Sequence, residues 1–268
     1  MPERAIAPSA ELRRLVARNA PLWAGEAEVV RSYFDGPTRS RERDREWVLR
    51  QLYKEYWDGI VPPLAALGRL VPALEQGVAR AELVAAADVL AEEVRHYALF
   101  ADLYERLGGA APAPEALRAR GAWAENDALM ALRARHREQH GALGVRAYRF
   151  TEGGYCTLFS EGMRLAGRGG DDDAIAAVCA AIHDDEFEHM LLGVVDLDDD
   201  SLDGAGWALL GELTTAQLAL RIEMRNAQFG YPLSRERVAA LRGGAAAPLA
   251  FDYARATALR AARAQHTR

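Results

Sequence analysis

The sequence predicts an all-α protein, and three observations carry that prediction. Apolar residues recur at intervals of three and four over long stretches, which is the period of an amphipathic helix. No segment alternates β-branched and polar residues as a half-buried strand does. The chain has 268 residues, of which 50% are hydrophobic, and this is enough for one large core. We expect a single domain over 1–268, with a core bundle at about 43–195, an N-terminal extension at 1–42 and C-terminal helices at 204–268.

The first half of the chain is expected to contain two long helices after the extension. The extension itself should hold one or two short helices, because Pro21 and the Gly-Pro pair at 36–37 interrupt it. A helix is predicted over about 43–61, and the Pro-Pro pair that follows should end it by removing two backbone donors. Residues 64–78 contain two glycines and a proline, which predicts an irregular connection. The second long helix is predicted over about 80–107.

The second half is expected to add further helices of similar length. One stretch over about 114–140 carries the chain across, and another is predicted over about 143–166 despite its glycines. The run "RGGDDDAI" gives a glycine stop and then acidic residues suited to the positive end of the next helix, which reaches about residue 195. An apolar helix near 205–228 and a segment after Tyr231 complete the chain.

Charge and cysteine content exclude several classes of function. The net charge of −6 disfavours a nucleic-acid partner, because phosphate binding needs concentrated positive charge. Lys54 is the single lysine, and the arginines alternate with acidic residues as on solvated helix faces. Two cysteines are too few for a disulfide framework. With no signal-peptide core and no apolar run of about 20 residues, we expect a cytoplasmic protein that does not bind membranes.

Two Glu-x-x-His motifs are the strongest functional signal. They are Glu93 with His96, and Glu186 with His189. Residues three apart share a helix face, and at about 100° per residue both motifs fall within the apolar stripes of their helices. A buried, isolated carboxylate costs several kcal/mol unless something offsets it. Both pairs are therefore predicted to face a common partner inside the core.

Two further carboxylates are expected from the neighbouring helices. Glu152 lies on the apolar face of the 143–166 helix and is level with Glu186 across the predicted hairpin. For the remaining helix two cues disagree. Asp58 precedes Glu93 by nearly the same number of residues as separates Glu152 from Glu186, whereas Glu55 borders the apolar arc of its helix. We favour Glu55, with Asp58 as the alternative.

This constellation resembles the ferritin-like di-iron carboxylate superfamily, in which two helices each give a Glu and two each give a Glu-x-x-His. The resemblance covers about 43–195 and implies a ferritin-like four-helix bundle with additional N- and C-terminal helices. The implied metal ligands are Glu55, Glu93, His96, Glu152, Glu186 and His189. Glu92 and Asp185 resemble the residues that hold a ligand histidine by its other ring nitrogen. His183 is similar to the extra histidine of the arylamine N-oxygenases, and is an additional candidate ligand.

Charge balance supports the same hypothesis from chemistry alone. Four carboxylates are neutralised by two divalent cations, and oxygen and imidazole ligands without thiolates suit iron or manganese. The alternative is a structural salt bridge between buried acids and bases, in a metal-free helical scaffold.

The resemblance implies a non-haem di-iron oxygenase or oxidase, with two Fe ions (or Mn) and dioxygen as co-substrate. It would hydroxylate, N-oxidise or desaturate a small organic molecule, with electrons from an external donor. The alternative is a ferroxidase or a peroxide-scavenging protein. The extra helices favour the oxygenase because they can build walls around a substrate cavity, for which Tyr97, Tyr148 and Phe159 are candidate lining residues. A homodimer is left open.

Overall fold

The chain folds into packed helices. The computed structural model describes residues 7–74, 77, 80–198 and 201–266, and all regular structure within them is helical, which confirms the all-α prediction. The α-helices are, in order, α1 Ala10–Phe34, α2 Arg41–Lys54, α3 Val61–Ala73, α4 Arg80–Arg106, α5 Pro114–Gly121, α6 Ala124–His140, α7 Ala142–Thr151, α8 Thr157–Met163, α9 Gly170–Val195, α10 Gly204–Gln228, α11 Arg235–Arg242 and α12 Tyr253–His266. Among these described helices, none is both long and apolar enough to cross a membrane.

Side-chain caps fix where several helices begin. Ser9, Ser40 and Ser234 each accept a hydrogen bond from the backbone N–H three residues ahead, at the start of α1, α2 and α11. Asp203 caps α10 in the same way. The first turn of α9 holds three aspartates, whose charges favour the positive end of the helix dipole. These local signals explain why the predicted starts of α9 and α10 agree with the structure.

The N-terminal segment is one long helix, and the expectation of short helices in it was wrong. Within the described part of the extension, α1 runs unbroken through Pro21 for 25 residues. Its buried face carries Leu12, Val16, Trp23 and Val30, and this burial outweighs the hydrogen bond that the proline removes. Residues 1–6 of the predicted extension lie outside the described residues.

The helix that carries Glu55 does not stop at the Pro-Pro pair, contrary to prediction. α2 passes into a six-residue π-helical segment, Glu55–Ile60, in which the Val61 N–H donates to the Tyr56 carbonyl. The two prolines then occupy the first turn of α3, where a missing donor removes few helix hydrogen bonds. The stretch expected to be irregular is therefore largely helical. Short π-helical segments of this kind occur frequently at functional sites.

Two other predicted helices are interrupted. The stretch at 114–140 is divided into α5 and α6, with extended backbone at Ala122 and Trp123. The stretch at 143–166 is divided by the segment Glu152–Cys156, in which four successive residues from Gly153 have positive φ. We call this segment the left-handed break.

The core extends beyond the predicted 43–195 bundle into both flanks. α1 packs along α10 and α8, while α9 packs against α8, α4, α12 and the left-handed break. Trp47 of α2 lies at the centre, with aromatic contacts to Phe34 of α1 and Phe229 just after α10. The flanking helices thus close one side of the site described next.

Candidate metal centre

A cavity of about 630 Å³ lies between α2, the π-helical segment, α4, the left-handed break and α9. Its walls hold all four predicted carboxylates, one from each of four separate helical regions. These residues, here named the carboxylate cluster, are Glu55, Glu93, Glu152 and Glu186. Among the described residues, one group of three potential metal ligands has atoms within 4.8 Å of one another, and it consists of Glu55, Glu93 and His96.

Glu55 opens the π-helical segment and is held in place by a chain of side-chain hydrogen bonds. Gln51 Nε2, one turn earlier, donates to Glu55 Oε1 at 2.6 Å. Gln228 Nε2 donates in turn to Gln51 Oε1 at 2.9 Å, and Arg225 Nη1 donates to Gln228 Oε1. Arg225 is anchored by Glu26, at 2.8 Å between Nε and Oε1. The chain fixes both amide orientations and leaves the second oxygen of Glu55 available to the cavity.

Glycine allows Glu93 to approach Glu55. A Cβ at Gly59 would lie 2.4 Å from Glu93 Oε2 and 3.8 Å from Glu55 Oε2, so any larger residue would displace Glu93. The close packing has an electrostatic consequence. Burial, together with repulsion from the other three members of the cluster, raises the pKa of Glu93 to about 9.

The pKa values of the other buried carboxylates are raised as well. Burial and repulsion from Glu55 and Glu152 raise the pKa of Glu186 to about 8, although Arg221 opposes the shift. Burial raises the pKa of Glu55 as well. Without cations, the cluster therefore retains protons at neutral pH, since several adjacent buried carboxylates cannot all ionise.

Each motif histidine faces an acid on the opposite helix, α9 for His96 and α4 for His189. His96 is 2% exposed, and its Nδ1 lies 3.4 Å from Glu186 Oε1 while its Nε2 lies 3.6 Å from Asp185 Oδ2. Neither nitrogen makes a hydrogen bond within the described residues, and burial lowers the pKa of His96. A neutral imidazole without partners among carboxylates is available as a metal ligand.

His189 has the reciprocal arrangement but is more open. Its Nε2 lies 3.6 Å from Glu92 Oε2, and its side chain is 51% exposed. It lines the cavity without joining the compact group around His96. Glu92 and Asp185 thus each contact a histidine across the α4–α9 interface.

Glu152 lies at the end of α7, where the left-handed break begins. The Tyr148 hydroxyl, one turn earlier, donates to Glu152 Oε1 at 2.6 Å. Burial and the neighbouring Glu152 carboxylate raise the pKa of Tyr148, so the phenol stays protonated and donates. Glu152 is exposed, unlike the buried Glu55.

The remaining candidates are placed differently. Asp58 accepts from Asn126 Nδ2 at 3.3 Å and lies 4.0 Å from Lys54 Nζ, so it lines the cavity beside a cation instead of joining the group of three. His183 stacks on Phe187 at 5.0 Å, away from the cavity walls. Tyr97 packs edge-on against Tyr56 and does not line the cavity, whereas Tyr148 and Phe159 do.

Sequence reasoning missed the cationic residues around the cluster. Glu26, 1% exposed, accepts from Arg221 Nε at 2.7 Å and from Arg225 Nε at 2.8 Å, and despite burial these arginines keep the pKa of Glu26 below its usual value. Lys54 and Arg133 also line the cavity. The rarity of lysine was a usable signal for Lys54. No comparable sequence signal marks the arginines, because they come from regions remote from the cluster residues along the chain.

Comparisons with known proteins found no relative that could assign a function to the site. No family model matches the chain, and neither the curated proteins nor the solved structures that were searched include a match.

Proposed function

We propose that this chain is a ferritin-like, non-haem di-iron oxidoreductase that activates dioxygen to oxidise a small organic molecule. The observation that supports it best is His96, which is buried among carboxylates from two helices with neither ring nitrogen hydrogen-bonded. Such a histidine is costly in a metal-free scaffold, because buried polar atoms are nearly always satisfied. A bound cation removes that cost.

The residues present fit a dinuclear centre. The carboxylate cluster, His96 and His189 would hold two iron ions, with manganese as the alternative, because oxygen and nitrogen ligands suit both metals. Two divalent cations balance four carboxylates, which removes the repulsion that raises the pKa values of Glu93 and Glu186. Asp185 and Glu92 would orient the ligand histidines across the helix interface, as acids beside ligand imidazoles commonly do.

When bound, the metal pair supplies the electrons and the Lewis acidity for reaction with dioxygen. The protein's residues control geometry and access. Gln51 presents Glu55 in one orientation, whereas Glu152 sits on an irregular backbone and is held by a single phenol. We expect Glu152 to be the carboxylate that shifts position during turnover. Leu158, Phe159 and Met190 form an apolar wall that excludes water from the reacting substrate.

A ferroxidase or peroxide-scavenging protein is the competing function. The cavity volume, of the size that small-molecule sites occupy, supports a substrate-oxidising enzyme, since iron oxidation needs only a path for ions. The two functions differ in how much iron one chain oxidises.

The first test is metal content and oxygen stoichiometry. The protein is loaded anaerobically with Fe(II), desalted and assayed for bound iron, and oxygen uptake is then measured. We expect two iron ions per chain and about one dioxygen consumed per pair, with Glu93→Gln and Glu186→Gln each losing iron. The conservative surface variant Glu11→Gln is the control. Iron binding below one ion per chain would refute the proposal, and oxidation of many ions per chain would favour the ferroxidase.

A further inference from the structure

Two largely buried cations line the cavity together with the carboxylate cluster. Lys54 has a side chain that is 14% exposed, and Arg133 is 4% exposed. Both residues line the cavity, and both lie near Asp58. Buried ammonium and guanidinium groups are rare unless an anion compensates them. The question is which anion serves these two.

The protein's own groups compensate them poorly. For Lys54, the one carboxylate within ion-pair distance among the described residues is Asp58, and the two atoms are 4.0 Å apart. Arg133 donates through Nη2 to the carbonyl and hydroxyl oxygens of Thr151, at 3.2 and 3.3 Å, and lies over the Tyr148 ring. Its Nε has no hydrogen-bond partner in the described chain. Neither contact of Arg133 brings a negative charge.

The other cations of the cavity differ in this respect. Arg221 and Arg225 share the buried carboxylate of Glu26, and Arg263 pairs with Asp196. Arg149 is exposed. Lys54 and Arg133 thus lack the short ion pairs, at 2.7 and 2.8 Å, that hold Arg221 and Arg225.

Bound metal ions would change the charge balance of the cavity. Two divalent cations neutralise the carboxylate cluster, and Lys54 and Arg133 are then opposed by Asp58 alone. Positive charge then exceeds negative charge beside Lys54 and Arg133, whose side chains are largely shielded from solvent, and a buried ion without a counter-charge is costly. The adjoining surface is apolar and consists of Ala85, Val89, Leu158, Phe159, Met190 and Leu192.

We propose that the cavity binds a carboxylic acid, with the carboxylate between Lys54 and Arg133 and the apolar part along the apolar surface that includes Val89 and Phe159. A carboxylate supplies negative charge beside these two cations, and a hydrocarbon or aromatic body matches the apolar wall. This substrate class rests on the proposed function, because the excess charge arises only when the cluster holds two divalent cations. It adds a binding determinant that the cluster itself does not contain.

The test measures binding without turnover. Protein loaded with Mn(II) under argon is titrated calorimetrically with octanoate, octan-1-ol and octylamine, and its manganese content is measured in the same samples. We expect octanoate to bind about tenfold to a hundredfold more tightly than octan-1-ol, as a charge-assisted contact provides. Lys54→Met should remove most of this preference, whereas Lys54→Arg should retain it.

A charge-matched control separates a local contact from overall charge. Arg118 lies over the Trp57 ring and does not line the cavity, so Arg118→Met should leave the octanoate preference unchanged. Bound manganese without a preference for octanoate, or a preference unchanged in Lys54→Met, would overturn this inference and leave the proposed function standing. Failure to take up manganese or iron would overturn both.

Discussion

At the scale of single residues, the orientation of one amide determines which oxygen Glu55 offers. The amide of Gln51 turns its NH2 group toward Glu55, because its oxygen accepts a hydrogen bond from Gln228. That orientation is set in turn by Arg225 and Glu26. A residue that touches no cavity ligand, Glu26, therefore constrains a proposed metal ligand through three intermediate side chains.

Gln51→Met is expected to weaken metal binding more than it weakens the fold. The variant keeps the side-chain volume but frees Glu55 to rotate, and loss of a residue that supports a ligand typically costs about tenfold to a hundredfold in metal affinity. Competitive titration of Mn(II) against a chelating dye measures the change.

The matched control is Gln217→Met. Gln217 is equally buried and hydrogen-bonded to Thr151, but it does not line the cavity. Its loss should lower the free energy of unfolding by about 1 kcal/mol and leave metal affinity unchanged. Equal affinity losses in both variants would show that Gln51 has no specific role.

At the scale of elements, the left-handed break separates the α7 and α8 faces and places Glu152 at an end of a helix. Two of its four positive-φ residues, Tyr155 and Cys156, carry side chains, and such conformations cost about 1 kcal/mol or more each. Tyr155 is compensated by stacking on Trp23 at 5.0 Å. Contacts made by the break thus offset its backbone strain.

Gly154→Ala should destabilise the protein far more than Gly153→Ala. Both glycines have positive φ, so each new methyl group costs about 1–2 kcal/mol. At Gly153 the nearest heavy atoms to a Cβ are 3.8 Å away, whereas at Gly154 a Cβ would lie 2.2 Å from both Arg221 Nε and Glu26 Oε2. Disrupting that buried ion pair adds about 3–5 kcal/mol. Urea denaturation of the two variants measures the difference, and equal losses would contradict this account of the break.

The same elements show which parts of the fold the sequence predicts. α4 and α9 are predicted well because each is a long run without proline, and glycines near their ends and the aspartates of the first turn of α9 mark where they stop or start. The break is not predicted, since nothing local forces Tyr155 and Cys156 into positive φ; their packing against remote residues does. The Pro-Pro pair misled for a related reason, because its effect depends on whether it ends one helix or begins another.

For the site, helical spacing alone groups Glu93 with His96 and Glu186 with His189, since residues three apart share a face. Tertiary packing decides which carboxylate of the π-helical segment faces the other ligands. Spacing along the chain therefore does not distinguish Glu55 from Asp58. Lys54 and Arg133 meet across the cavity from α2 and α6. No local pattern relates them.

At the scale of the whole molecule, the cavity makes stability depend on proton and metal binding. In the metal-free protein, Glu93 and Glu186 hold protons up to a pH of about 9 and about 8, whereas in the unfolded chain they lose them near their ordinary value of 4.5. The folded state therefore binds more protons in this window. Stability is fully present below it and decreases as the pH rises through it.

Metal-free protein should accordingly be less stable at about pH 8 than at about pH 7, by on the order of 1 kcal/mol. This interval lies above the range in which the neutral, buried His96 would contribute the opposite trend. Lys54, whose pKa burial lowers to about 8, does contribute the opposite trend here, but one amine offsets the two carboxyl groups only in part. Thermal denaturation of the chelator-treated protein measures the change. Adding Mn(II) should reverse its direction, because cations displace the protons more readily at higher pH. The double variant Glu93→Gln, Glu186→Gln should show a flatter dependence, and a stability that rises with pH in the metal-free protein would contradict the assignment.

Lys54 also gives this protein an unusual chemical simplicity. Because every other basic side chain in the sequence is arginine or histidine, Lys54 carries the only side-chain primary amine. Reductive methylation with isotopically labelled formaldehyde would then install one NMR-visible reporter within the chain, apart from the α-amino group, directly on the wall where the carboxylic acid is expected to bind.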